Sequence, residues 1–216
     1  MTTESRPLRA DARRNRDRLV AAAAEVFAER GLGAPLEDVA RRAGVSIGTL
    51  YNRFPTRDDL VDAVFRERLG ALDRVAAEAL ADPDPWNGFV LFVEGLFELQ
   101  AADLGLNEAL ASMFPAAAGM EEACGRGMRD LGLVIGRARD AGVLRADFEA
   151  TDVALLVLGM SRVIGDSLEV APGAWRRCLG FVLDGLRPEA ARPGGVPALT
   201  AEELAQVAER GRRRRG

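Results

Sequence analysis

Residues 36–54, LEDVARRAGVSIGTLYNRF, decide how this chain is read. Leu36, Val39, Ala40 and Ala43 recur at helical spacing, Gly44 supplies a left-handed residue to end that helix, and Val45 is an apolar plug in the turn. Ser46 then caps a second, short helix. At roughly 100° per residue, Leu50 and Phe54 fall on one side of this helix and Gly48, Thr49, Tyr51 and Asn52 on the other. The pattern predicts a helix-turn-helix with one packing face and one free face. That free face is small, hydroxylated and amide-bearing, the chemistry that hydrogen-bonds base edges and phosphates in a major groove. An ordinary turn between two core helices has the same angular pattern.

Upstream, Asp11 is the expected cap of a first helix whose apolar stripe is Leu19, Ala23, Val26 and Phe27, with Gly31 and Gly33 stopping it and residues 1–10 disordered. The start of that helix carries Arg13, Arg14, Arg16 and Arg18, which fit either a solvated face or an arm contacting phosphates or the minor groove. Downstream, Thr56 and Asp59 form a capping box, and Leu60, Val61, Val64, Phe65 and Leu69 continue a helix to about residue 80. Arg57 sits in the first turn of that helix, where a cation opposes the helix dipole, so a phosphate partner is expected.

The run AGVSIGTLYNRFPTRDDLVDAV, residues 43–64, resembles the DNA-binding signature of the TetR/AcrR transcriptional regulators. In that family the same helix-turn-helix is followed at once by a Phe-Pro-Ser/Thr-Lys/Arg link and an acidic-started helix. The resemblance covers residues 11 to about 80. It implies an all-α fold with a three-helix DNA-binding head and a larger C-terminal helical domain for ligand binding and dimerisation. The implied function is a homodimeric repressor released from double-stranded operator DNA by a small molecule, with no cofactor. Ser46, Ile47, Gly48, Thr49, Tyr51 and Asn52 would meet the major groove, and Arg57, Arg13, Arg14 and Arg16 the backbone. Three positions depart from the family pattern: Ala34-Pro35 stands where Thr or Ser usually opens the first motif helix, Ile47 where Lys is frequent, and Asn52 where His is frequent. These departures bear on operator affinity and sequence preference, not on docking mode.

Composition narrows the alternatives. With 48% hydrophobic and 29% charged residues among 216, the chain is an ordinary globular protein. Its longest apolar run, residues 153–160, is too short to span a bilayer, and the first 30 residues lack a signal-peptide core, so a cytoplasmic location is expected. No histidine occurs, which removes the commonest general base. There is no CxxC and no Gly-rich phosphate loop, and the two cysteines, Cys124 and Cys178, lie in apolar helical patterns as expected of buried thiols. Residues 1–57 hold 11 Arg against 7 acids, whereas the remainder is acidic enough to bring the net charge to -4. A basic end on an acidic chain is the asymmetry expected when only one part meets a polyanion.

The remaining chain divides into a connecting helix (about 57–80), a body (81–187) and a linker, short helix and basic tail (188–216). WNGFVLFVEGLFELQ, residues 86–100, is apolar on most sides, so its helix must be enclosed or line a cavity. Further helices are expected at about 106–114, 120–141, 151–170 and 175–186. A ligand cavity would draw on Trp86, Phe89, Phe92, Phe97, Met113, Phe114, Met128 and Met160, with Glu94, Arg162 and Asp166 as polar groups and an apolar or aromatic occupant. The last two helices, apolar beyond what one chain covers, suggest a four-helix dimer interface using Leu155, Leu158, Ser161, Gly165, Leu179, Val182, Leu183 and Leu186, the alternative being plain intramolecular core. Two other readings stay open: an all-helical enzyme built on Glu94, Glu98, Arg162 and Asp166, and a DNA-binding protein that responds to no ligand.

Overall fold

The computed structural model describes residues 5–68, 70–111, 118–192 and 196–213, without the side chains of 5–13, 66, 67, 118–124, 212 and 213. Every α or β element among the described residues is an α-helix. The head comprises α1 (Ser5–Arg30), α2 (Leu36–Ala43) and α3 (Ile47–Arg53), closed by α4 (Arg57–Arg68). Leu19, Ala23, Val26 and Phe27 of α1 are buried against Leu36, Val39 and Ala40 of α2, Leu50 of α3 and Leu60, Val61 and Val64 of α4. The first helix starts at Ser5 and not at Asp11, which corrects the expectation of a disordered amino end from that residue on. Pro7 sits in the opening turn, where its missing N–H interrupts no ladder. Leu69 lies outside the described residues, and beyond it α5 (Gly70–Ala81) carries the chain into the body.

The body contains α6 (Pro85–Ala102), α7 (Leu104–Ala111), α8 (Ala118–Asp140), α9 (Ala150–Ser167) and α10 (Ala174–Gly185). Asp84 caps α6 by accepting from the N–H groups of Trp86 and Asn87, and Pro85 occupies the first helical position. As its pattern required, α6 is enclosed: α5, α7, α8, α9 and α10 all pack on it, burying Phe89, Phe92, Val93, Leu96 and Phe97 and leaving Asn87, Glu94 and Glu98 exposed. Arg137 of α8 ties the α5–α6 corner by donating to the carbonyls of Leu80, Asp82 and Pro83. One residue separates α6 from α7. That residue, Asp103, accepts from Leu106 N–H as the cap of α7 and pairs with Arg68 of α4.

Two boundaries differ from expectation. α7 begins at Leu104, two residues early, because Asp103 caps it. α9 ends at Ser167, where Val170 and Ala171 N–H turn back onto the Ser167 carbonyl. Beyond α10 a single 3-10 turn (Pro188–Ala190) leads to residues 196–199, which line a cleft of about 820 Å³ with Leu155, Leu156, Val182 and Leu186 before α11 (Ala201–Arg213). The segment expected to be only a linker thus returns to the α9–α10 surface.

Of the eight residues expected at a dimer interface, Ser161, Leu179, Leu183 and Leu186 are buried within the single chain, and Val182 packs against its core. Within the chain, the apolar stripe of α10 faces α9 and α6. The open side of the pair instead carries Leu155 (39% exposed), Gly165 and Phe181 (64% exposed).

Candidate nucleic-acid interface

The interface is built from α2, α3 and the clamps behind them. Gly44 ends α2 at φ 68°, ψ 36°, and its N–H and that of Val45 return to the last turn of α2. A side chain at position 44 would need a left-handed backbone and would also sit 3.1 Å from Arg18 Nη2, which itself donates to the Ala43 carbonyl at 2.8 Å. The left-handed backbone is what requires glycine there, since the Arg18 guanidinium is the end of a flexible side chain.

Ser46 takes an extended conformation and caps α3: its Oγ accepts from Thr49 N–H at 3.2 Å and lies 2.9 Å from Thr49 Oγ1. The two hydroxyls are thereby tied to each other. Leu50 is fully buried and Phe54 nearly so, with the Arg16 guanidinium 5.5 Å above the Phe54 ring. On the outer side Gly48 and Asn52 are exposed, Tyr51 is 48% exposed, and Ile47 and Thr49 are half-buried. The angular division expected from the sequence is the one observed, so the structure brings Ser46, Ile47, Gly48, Thr49, Tyr51 and Asn52 together on one projecting helix.

The arginines divide differently. Arg57 Nη1 donates to the carbonyls of Leu32 and Ala34 at 2.6 and 2.8 Å, so the partner that offsets its position at a helix start is the head's own loop. A phosphate is therefore not required to offset that position. Arg14 and Arg16 are exposed on α1, and the Arg13 side chain lies outside the described residues. Thr56 and Asp59 form the expected capping box, with reciprocal N–H bonds of 3.0 and 3.1 Å. Arg42 binds Glu29 through two bonds of 2.7 and 2.9 Å, locking α2 to α1; the bond from Arg42 holds the Glu29 carboxyl below its ordinary value.

Contacts that the sequence did not signal join this head to the body. Arg68 donates to the Ala24 carbonyl at 2.7 Å while pairing with Asp103, and burial lowers its pKa from the ordinary guanidinium value. Glu108 of α7 accepts from Leu32 N–H at 2.6 Å, beside the left-handed Gly31. Where Cβ would stand on Gly105, the Phe27 carbonyl oxygen is 2.9 Å away, so α7 lies directly against α1. Between the two units a cleft of about 720 Å³ is walled by Val20, Ala24, Ala63, Leu99 and Leu106, with Arg16, Arg68 and Arg74 also lining it.

Expected ligand-site residues scatter. Phe89, Phe92, Phe97 and Met160 are buried body core, and Trp86 and Met128 are half-buried against it. Phe89 meets Phe148 edge-on at 5.9 Å and tilts against Trp86 at 5.6 Å, and the Arg187 guanidinium lies 3.6 Å over Trp86. Glu94 is exposed, and Arg162 and Asp166 form an exposed ion pair at 2.7 Å, so these three do not face the interior, a correction to that expectation. Met113 and Phe114 lie outside the described residues, as does the Cys124 side chain, while Cys178 is a half-buried free thiol. No group of residues with metal-holding geometry occurs among the described residues, nor does any helix long and apolar enough to cross a membrane.

Comparison with known proteins agrees with this geometry. Residues 19–64 match the model of bacterial regulatory proteins of the tetR family, and residues 84–188 match that of the SbtR-like transcriptional regulator C-terminal domain. The crystal structure of the TetR transcriptional regulator SCO0520 from Streptomyces coelicolor is 33% identical, with 80% of this chain and 98% of that one covered, at a TM-score of 0.55. A TetR transcription regulatory protein from Mycobacterium vanbaalenii is 35% identical, with 84% and 99% covered, at a TM-score of 0.51. The HTH-type transcriptional regulator LuxR of Vibrio harveyi is 48% identical over 52 residues, 24% of this chain and 25% of that protein, so the likeness to this curated relative spans about a quarter of its length. These relatives are regulators and not enzymes. By the family models and the full-length relatives together, this chain is a member of the TetR family of bacterial transcriptional regulators.

Proposed function

We propose that the chain acts in the cytoplasm as a homodimeric repressor that leaves its operator when a small apolar or aromatic molecule enters the body. The observation that carries the DNA-binding half is the outward face of α3: Gly48, Tyr51 and Asn52 project from a helix whose other side is anchored by Leu50. One head of this size buries too little surface for operator affinity, whereas two heads about 34 to 36 Å apart read successive major grooves. Leu155, Gly165 and Phe181, open on the α9–α10 pair, are the surface on which a second copy would dock.

The ligand half is supported by the body interior. Gln100 and Asn107 are buried polar residues whose Oε1 and Oδ1 atoms make no hydrogen bond, and neither does Nε1 of the buried Trp175. Such atoms cost free energy unless a partner meets them. The buried carboxylate of Asp103 is already paired with Arg68, and these open polar atoms belong to neutral amide and indole groups. Occupancy among α6, α7 and α9 would move α7, and Glu108 and Gly105 pass that displacement to the head.

Light scattering of the full-length protein should give twice the chain mass. Phe181→Glu should give a folded monomer with operator affinity reduced about a hundredfold, as expected when two tethered sites become one. A monomeric variant binding as tightly as its parent would contradict the two-headed reading. In a thermal-shift screen, stabilising compounds that also weaken operator binding should be largely apolar or aromatic; a screen in which no such compound both stabilises the protein and weakens operator binding would contradict the ligand reading.

A further inference from the structure

Of the side chains on the outer face of α3, few remain free to address a base. The Ser46 and Thr49 hydroxyls are bonded to each other, and Ser46 also caps the helix. Gly48 offers no side chain. What remains is the aliphatic Ile47 at the first helical position, Tyr51 one turn further on the same flank, and the exposed Asn52 and Arg53. Ile47 is half-buried: part of it packs against the head core while the rest reaches solvent. A β-branched side chain in a helix has essentially one χ1 setting, so its two γ carbons are largely set in place before any partner arrives. In a helix-turn-helix the amino-terminal residues of the second helix meet base edges, and the apolar group that a major groove presents is the C5-methyl of thymine.

We infer that Ile47 reads a thymine methyl group, with the Tyr51 ring flanking the contact, so that each operator half-site contains a thymine whose methyl faces the first turn of α3. This rests on the DNA-binding reading above. It assigns sequence preference to a residue that a purely structural account would leave as a partly covered core side chain.

The test uses the full-length protein and a duplex enriched by it from a random pool. Each thymine of the enriched half-site is replaced in turn by uracil, which removes the methyl and nothing else. For the parent, one thymine position per half-site should weaken binding about fourfold when demethylated, the loss equivalent to burying one methyl-sized group, and about sixteenfold when both half-sites are changed. Ile47→Ala should bind the thymine and uracil duplexes equally well, and Ile47→Val should keep a reduced preference for thymine. Because each variant is compared with itself on two duplexes, any loss of head stability cancels. The inference is overturned if no uracil replacement matters, if the enriched half-site contains no thymine, or if Ile47→Ala retains the parent's discrimination. Failure to enrich any duplex would instead overturn the DNA-binding reading on which it rests.

Discussion

Arg57 holds two carbonyls of the loop between α1 and α2, those of Leu32 and Ala34, with one nitrogen. The loop positions the start of α2 and is itself held to the body through Leu32 N–H, so this guanidinium keeps the head in one piece. Arg57→Met preserves the aliphatic stem and removes the donors. Hydrogen bonds to charged groups contribute about 1.5 to 3 kcal/mol, and the urea midpoint should fall by the corresponding amount with an unchanged slope. A variant as stable as its parent would return Arg57 to the role of phosphate ligand. The sequence shows a cation at the start of a helix, which points to some partner that offsets it. It did not reveal what, because the two carbonyls lie 23 and 25 residues upstream on a loop with no periodic pattern of its own. By contrast Gly44, Ser46, Thr56 and Asp59 act within three or four residues of themselves, and all four were legible.

Elements follow the same division. The buried face of α3 and the enclosure of α6 follow from the order of apolar residues alone, since a helix apolar on most sides has no stable solvent-facing arrangement. Which neighbour covers an apolar face does not follow. The stripe Leu179, Leu183, Leu186 fits a second copy as well as it fits α9 and α6, and within the chain it is α9 and α6 that cover it. Close approach of helices was equally hidden. A Cβ built on Gly88 would collide with the Ala79 carbonyl oxygen, which makes this glycine the contact at which α6 lies on α5. Gly88→Ala should therefore cost about 2 kcal/mol, within the range for overpacked interiors, even though alanine favours the helix. Thermal unfolding of that variant checks it, and a raised melting temperature would show that the two helices part without loss.

At the level of the whole molecule, the head and body are joined by α7 against α1, by Glu108 on Leu32 and by Arg68 between Ala24 and Asp103. A rearrangement of the body can reach the recognition helix through these contacts, through the packing of α4 on α8 and through the α4–α5 connection. The acid response is also a property of the whole chain. Glu29, Asp147 and Glu203 have carboxyl values below ordinary, the first two through hydrogen bonds from Arg42 and Arg145 and the third through Thr200 N–H. For a carboxyl lowered by folding, the stabilisation is complete above the unfolded value and is lost as pH falls towards the folded one. With no histidine in the sequence, stability should be flat between about pH 6 and 8 and decline below about pH 4.5. A step between pH 6 and 7 in the urea midpoint would contradict this.

The central claim is that the projecting side chains of α3 carry operator recognition while Leu50 and Phe54 hold the helix in place. Its most direct test is the affinity of Tyr51→Ala and Asn52→Ala for the enriched duplex, by fluorescence anisotropy at one salt concentration. The account predicts at least about tenfold weaker binding for each, the lower part of the range for a lost base contact, at an unchanged melting temperature. Parent-like affinity in both variants would contradict it.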